Sequence, residues 1–175
     1  MAHESIPVEY LRGILNYSPE NGCFVWRHRP DLPLKWNRRM AGKKAGCKLP
    51  ISGGYVGIRI NGVRYLAHRL AWAYHFGTWP ALNIDHINGN GMDNRIMNLR
   101  EANQSENHQN KRRQSNNKSG FTGVSWNTLE RRWRATIQIG GKQIFLGGFA
   151  EKEDAYSAYL KAKAEFHPFQ PTPRL

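Results

Sequence analysis

LNIDHINGNGMDNRIMNLREANQSENHQNK, residues 82–111, changes character several times along its length. Residues 82–87 are a short, largely apolar run with Asp85 and His86 side by side, which reads as a strand carrying two chemically active side chains. Asn88-Gly89-Asn90-Gly91 then forces a turn, and a polar, Asn-rich loop follows. Residues 96–100 return as a second strand. Asn103, with Glu106 three residues later, has the layout of a reciprocally capped helix start, and the helix is expected to continue to about Lys111. The segment therefore reads as strand, loop, strand, helix.

Upstream, Val56, Ile58 and Ile60 alternate with Gly57 and Arg59, and Asn61-Gly62 supplies a tight hairpin turn before the chain returns through residues 63–66. Residues 67–76 shift to a short helix rich in Leu, Ala and aromatics, closed by Gly77 with Pro80 beyond it. Nearer the N-terminus, residues 8–15 suggest an amphipathic helix ending near Asn16. Pro19-Glu20-Asn21-Gly22 reads as a turn, and residues 23–26 as a strand.

Downstream lies KRRQSNNKS, residues 111–119, with four cations, no acid and no apolar side chain. It reads as a linker that touches phosphate, or as a solvated basic loop. Beyond it, Trp133, Ala135, Ile137 and Ile139 fall on one face of a strand over residues 132–139, and Arg132, Arg134, Thr136 and Gln138 on the other. Gly140-Gly141 is a hairpin turn into a strand over residues 142–146, with residues 123–126 as a first strand. Ala155, Ala158, Tyr159, Ala162 and Phe166 recur at helical spacing and form one stripe, and Pro168, Pro171 and Pro173 leave an extended tail.

In all, the 175 residues hold 26 Lys and Arg against 13 Asp and Glu, a formal charge of +13 that draws polyanions, nucleic acid first. No apolar run is long enough to span a bilayer, and residues 1–7 lack the layout of a signal peptide, so a soluble, cytoplasmic protein is expected. Cys23 and Cys47 are too few and too far apart for a CxxC zinc site, and are expected as reduced, packed thiols. Six Trp within an apolar fraction of 39% argue for folded cores.

Asp85, His86 and Asn107 together hold the parts that phosphodiester hydrolysis needs. An imidazole is poised to take a proton from water near neutral pH, while a carboxylate and an amide carbonyl are oxygen donors for a hard cation such as Mg²⁺. Neighbours on a flat strand point to opposite faces, so Asp85 and His86 serve one phosphate only near a twisted strand end or a bulge.

Over residues 68–111 the sequence resembles the HNH endonuclease family, in its phage and intron-associated branch. HRL precedes the motif, and DHINGN, DNRIMNL and SEN follow in order. The resemblance implies a ββα-metal fold with His86 as general base and Asp85 and Asn107 as ligands of a divalent cation, Mg²⁺ or Mn²⁺. It gives Asn98 the task of pinning the loop between the two strands, and it implies no structural zinc. His68 and His108 then become candidates for phosphate or cleft contacts, and Arg69 and Arg95 either touch the DNA backbone or brace the fold. His75 is read as a surface imidazole.

Residues 119–167 resemble the AP2 domain, through the GV-W start, the WRA-I strand, the LG-F corner and the Ala-rich helix. That resemblance implies a three-stranded antiparallel sheet packed on one helix, with the sheet face in the DNA major groove. Arg132, Arg134, Thr136 and Gln138 would face DNA, flanked by Ser125, Asn127, Gln143 and Phe145, and each could meet a base, a phosphate or only water. Lys111, Arg112, Arg113 and Lys118 extend the basic surface. The expected organisation is an α+β chain with a nuclease domain over residues 1–110, a linker over 111–118, the AP2-like module over 119–167 and a tail over 168–175. The expected activity is site-preferring cleavage of double-stranded DNA by a monomer or weak dimer, one nick per site, as in homing endonucleases. The rival expectations are a non-catalytic DNA-binding regulator and, on charge alone, an RNA-binding protein.

Overall fold

A computed structural model of the chain describes residues 6–50, 54–109, 117–167 and 169. Lys111, Arg112 and Arg113 of the expected linker lie outside the described residues, as does the C-terminal tail apart from Phe169. The secondary structure is mixed, helices with small antiparallel sheets, and the polypeptide divides into two units, Met1–Ala102 and Asn103–Leu175. The division falls ahead of the basic run, so the helix that begins after Asn103 groups with the C-terminal unit.

In the first unit, helix α1 (Val8–Ile14) buries Val8, Leu11 and Ile14 on one stripe. It passes directly into strand β1 (Leu15–Ser18), where the sequence pattern predicts a helix that stops near Asn16. Leu15 and Tyr17 are buried on its inner face, and β1 pairs antiparallel with β2 (Cys23–Trp26), Tyr17 opposite Phe24 with their rings stacked at 4.7 Å. Helix α2 (Leu34–Met40) buries only Asn37, whose amide ties back to the Arg29 backbone in both directions. Strand β3 (Lys44–Ala45) completes the first sheet, and β4 (Cys47–Lys48) edges a second with β5 (Val56–Ile60) and β6 (Val63–Leu66). Cys47, expected to be packed, is exposed on β4, the edge strand of its sheet. Asn61 and Gly62 make the expected turn, with φ of 50° and 82°.

Helix α3 (Ala67–Phe76) ends at Gly77 in the left-handed conformation, as expected, and buries Leu70, Ala71 and Ala73 against Ile58, Ile60, Leu11 and Leu15. Strand β7 (Asn83–His86) pairs antiparallel with β8 (Leu99–Ala102). Residues 96–98, expected as the start of that second strand, form instead one 3-10 turn. The cause is local. The Ile96 N–H bonds to the Pro19 carbonyl, and the Asn98 N–H turns back to Arg95. Both are thus withdrawn from any strand ladder.

The second unit opens with α4 (Gln104–Gln109), started by a two-way cap in which the Asn103 side chain accepts from the Glu106 N–H and Glu106 accepts from the Asn103 N–H. Strands β9 (Val124–Asn127), β10 (Arg132–Ile139) and β11 (Lys142–Phe149) form a sheet in the order β11-β10-β9. Helix α5 (Lys152–Phe166) lies on this sheet, with Ala155, Tyr159 and Ala162 buried against Val124, Ala135 and Ile137. Gly123 admits this close approach, since a Cβ there would lie 2.1 Å from the Tyr159 ring. Phe166, counted in the helical stripe, is 44% exposed. His167 is buried in its stead and donates from Nε2 to the Gln138 carbonyl at 2.8 Å. Among the described residues no helix is long and apolar enough to cross a membrane.

Candidate functional site

The β7–β8 hairpin carries most of the chemistry predicted from sequence. Its register sets Asp85 opposite Arg100 and His86 opposite Leu99, with regular pairing and no bulge up to His86, the last residue of β7. The pleat therefore separates the two side chains. On one side the Asp85 carboxylate accepts from Arg100 through Nε at 3.0 Å and a terminal guanidinium nitrogen at 2.9 Å. On the other, His86 is buried at 4% exposure among His68, Tyr55 and Asn94.

The connecting loop is held by amides. Asn98, buried at 6% exposure, accepts from the Asn88 N–H at 3.0 Å through its side-chain oxygen and donates to the Asp93 carbonyl at 2.8 Å through its nitrogen. One side chain thus joins both ends of the loop to the start of β8. Asp93 in turn accepts from Arg95 through Nε at 2.8 Å and a terminal nitrogen at 2.7 Å, and from Asn88 Nδ2 at 2.7 Å. These bonds, those from Arg95 foremost, hold the Asp93 carboxyl down to about 2. His86 Nε2 lies 3.2 Å from Asn94 Oδ1, and Asn94 is enclosed at 2% exposure. The Tyr17 hydroxyl donates to the Asn94 backbone carbonyl at 2.7 Å.

His68 reaches this cluster from the first turn of α3. Its ring meets that of His86 edge to face at 5.0 Å, and Tyr55 packs on both. It is 5% exposed, and its Nδ1 has no hydrogen-bond partner among the described residues. Burial first, then the neighbouring His86 and Arg69, push its imidazole down to about 3, so it is neutral across the physiological range. Arg69 donates to the Leu82 and Pro80 carbonyls and so braces the approach to β7, and Arg95 is committed to Asp93. His75 is exposed on the last turn of α3.

Asn107 stands on α4, in the C-terminal unit. The side chain of His108 lies outside the described residues. Among the described residues no three His, Cys, Asp or Glu side chains cluster as a metal site. The Asp85 carboxylate and the Asn107 amide are each oxygen donors of the kind that Mg²⁺ accepts, an ion that keeps several waters and takes few protein ligands. Asn94, Tyr17, Tyr55 and Arg100 were not singled out from sequence. Of these only Arg100 left a trace there, since it falls opposite Asp85 once the two strands are aligned.

In the second unit, register places the candidate contact residues on the sheet face away from α5. Arg134 lies opposite Ser125, Arg132 opposite Asn127, Thr136 opposite Phe145 and Gln138 opposite Gln143. Gln143 Nε2 donates to the Thr136 hydroxyl at 3.1 Å, and the Arg134 guanidinium stacks over Phe145 at 4.8 Å from the ring centre. Phe145 is 52% exposed, and Lys118 is exposed as well. The face combines cations, amides and an open aromatic ring.

Comparison with known proteins places residues 65–109, from the end of β6 through α4, in a match to the HNH endonuclease family model. The chain is 38% identical over 77 residues to Protein 3.8 of Escherichia phage T7, an alignment that covers 39% of this chain and 64% of the phage protein. It thus spans less than two thirds of that relative's length. Among solved structures it is similar to the HNH homing endonuclease I-HmuI, described for DNA binding and cleavage, with 27% identity, a TM-score of 0.40, and coverage of 59% of this chain and 54% of the other.

Proposed function

We propose that this protein is a metal-dependent DNA endonuclease that hydrolyses phosphodiester bonds and nicks duplex DNA at preferred sites. The observation that carries the reading is the Asp85-His86 pair closing β7, with its loop tied by Asn98, inside the segment that matches the HNH endonuclease model. His86 acts as general base toward the attacking water, and Asn98 keeps the loop in register so that the imidazole meets that water in one orientation. Asp85 and Asn107 supply oxygen ligands for Mg²⁺, with Mn²⁺ as a substitute. Such an ion, when bound, offsets the charge that builds on the phosphate. His68 lines the base, and its neutrality spares His86 a charged neighbour.

The outer sheet face of the second unit, which we take as AP2-like, holds the duplex through Arg132, Arg134, Thr136 and Gln138 with Ser125, Asn127, Gln143 and Phe145. Lys111, Arg112, Arg113 and Lys118 add phosphate contacts. The chain acts inside a bacterial or phage-infected cell as a monomer or weak dimer, and one site cuts one strand. The His86→Ala variant should lose plasmid nicking in Mg²⁺ by about 10²-fold or more while gel-shift affinity for duplex DNA holds. Undiminished cutting by that variant removes the mechanism.

One observation favours a second reading, a non-catalytic DNA-binding regulator: the Asp85 carboxylate is already paired with Arg100 and only 12% exposed. Tight binding of one sequence by wild-type protein, without nicking in Mg²⁺ or Mn²⁺, would decide for it.

A further inference from the structure

Charge is unevenly spread along the first unit. Residues 1–102 hold 14 Lys and Arg against 7 Asp and Glu, so this unit is strongly basic without help from the second. Asp31, Asp85 and Asp93 are each taken by an arginine, Arg29, Arg100 and Arg95 in turn. Residues 32–84, by contrast, contain nine cations and no acid. One of the nine, Arg69, is committed to the Leu82 and Pro80 carbonyls. The other eight, from Lys35 to Arg64, are exposed and precede the segment matched by the family model. Among the described residues none of the eight has an ion pair or a side-chain hydrogen bond.

Two of them face each other. Arg59 on β5 stands directly opposite Arg64 on β6. Ile58 and Ile60, on either side of Arg59, point into the core at 0% and 1% exposure, so the two arginines share the face that looks away from it. Like charges directly opposite on an antiparallel pair destabilise it. A hairpin that had only to fold would be better served by a hydroxyl or a carboxylate at either position. The pair is also held on a firm base. Between the strands, the Asn61 amide donates to the Tyr10 hydroxyl at 2.9 Å and accepts from Arg29 at 3.1 Å, and Arg29 is itself 3% exposed. The repulsion between Arg59 and Arg64 is therefore built in, and a polyanion relieves it.

Duplex DNA is the polyanion that fits. It presents a phosphate for about every 3.4 Å of rise along each strand, a regular row of charge that a fixed pair of guanidinium groups meets with paired N–H donors. We propose that the outer face of the β5–β6 hairpin is a second duplex-binding surface, where Arg59 and Arg64 contact neighbouring phosphates of one strand. The exposed cations of residues 35–48 add to the field that draws the duplex in. The proposal rests on the reading of the chain as a protein that acts on DNA, and not on the chemistry of Asp85 and His86. Its consequence is that the unit carrying the nuclease motif grips DNA by itself, apart from the sheet face of the second unit.

The test is equilibrium binding of the full-length protein to a short fluorescent duplex of arbitrary sequence, by anisotropy over a salt series. Each phosphate contact contributes about 0.9 to the slope of log K against log salt. Arg59→Gln/Arg64→Gln should therefore lower that slope by about 1.8 and weaken binding at least about tenfold at low salt, equally on every sequence tried. Arg59→Lys/Arg64→Lys should keep most of the slope, since a phosphate accepts either cation. Urea unfolding of the Gln pair should be unchanged or slightly harder than that of wild type, because a repulsion is removed. An unchanged slope in the Gln pair, an equal loss in the Lys pair, easier unfolding of the Gln pair, or a loss confined to an RNA duplex of the same sequence overturns the proposal. Wild-type protein that shows the expected slopes but never nicks plasmid in Mg²⁺ or Mn²⁺ overturns the endonuclease reading and leaves this surface standing.

Discussion

Acid should destabilise the N-terminal unit through His68, by an amount that follows from its burial. The folded-state imidazole titrates at about 3, whereas in an unfolded chain it returns to about 6.5. Below 6.5 the unfolded state takes up a proton that the folded state refuses. The unfolded state then binds more protons, and stability falls as pH falls, from about 6.5 down to about 3. Within that window each pH unit is worth about 1.4 kcal/mol, so lowering the pH from 6.5 to about 5 should cost roughly 2 kcal/mol from this one group. Conversion to energy is warranted because the ring is 5% exposed and solvent does little to screen it. Replacing His68 with Phe keeps an aromatic ring against Tyr55 and His86 and removes the titration. Urea unfolding should be followed through the NMR signals of Ile58 and Ile60, which report this unit alone, for both proteins across the window. The wild type should lose about 2 kcal/mol more than His68→Phe. Parallel pH slopes for the two proteins would mean that His68 is solvated or bonded in the native state, and the account of its burial would be wrong.

The seating of the β1–β2 turn on residues 94–96 separates two glycines that look alike in sequence. Gly22 and Gly62 both have positive φ, 69° and 82°, but a Cβ at Gly62 meets nothing within 4 Å whereas one at Gly22 meets backbone. Gly62→Ala should cost about 1 kcal/mol of conformational strain, and Gly22→Ala about 3 kcal/mol or more; equal costs in urea unfolding would deny the contact. On the second unit, Arg134→Ala should weaken duplex binding and lower the slope of log K against log salt by about one if the guanidinium meets phosphate. Unchanged affinity and slope would remove this face from the DNA-binding surface.

What could be read from sequence was what a local pattern specifies. Strand β10 alternates apolar and polar side chains over its whole length, and its bounds emerge as expected because only one face is covered. The Asn61-Gly62 turn, the Gly77 stop and the Asn103–Glu106 cap are each contained within a few residues. Strand β1 was hidden because Leu15 continues the buried stripe of α1, so one apolar position serves both a helix and a strand. Helix α2 offers only a short stripe, since Trp36 and Met40 are partly buried against the core and its single fully buried side chain is Asn37. At the site, Asp85 and His86 stood out by type, and Asn98 only through the resemblance to the HNH family. Asn94 did not, because the Tyr17 hydroxyl that its buried carbonyl receives lies 77 positions away, where no window of sequence connects the two.

The Asn-rich loop itself shows why side-chain amides recur between β7 and β8. Residues 87–95 form neither helix nor strand, so their N–H groups need other acceptors. Asn90 accepts no ladder bond but gives its N–H to Asn88 Oδ1 at 2.9 Å, Met92 gives its own to Asn90 Oδ1 at 3.1 Å, and Asn88 gives its own to Asn98. Each such bond contributes only about 0.5–1.5 kcal/mol, too little to fold a loop against its entropy without support from both ends. The ends are where the buried groups lie: Asn98 at the start of β8, and Asn94 under the Tyr17 hydroxyl. A loop fixed at both ends and stitched by amides in between can hold an imidazole at a strand terminus without an apolar cover of its own.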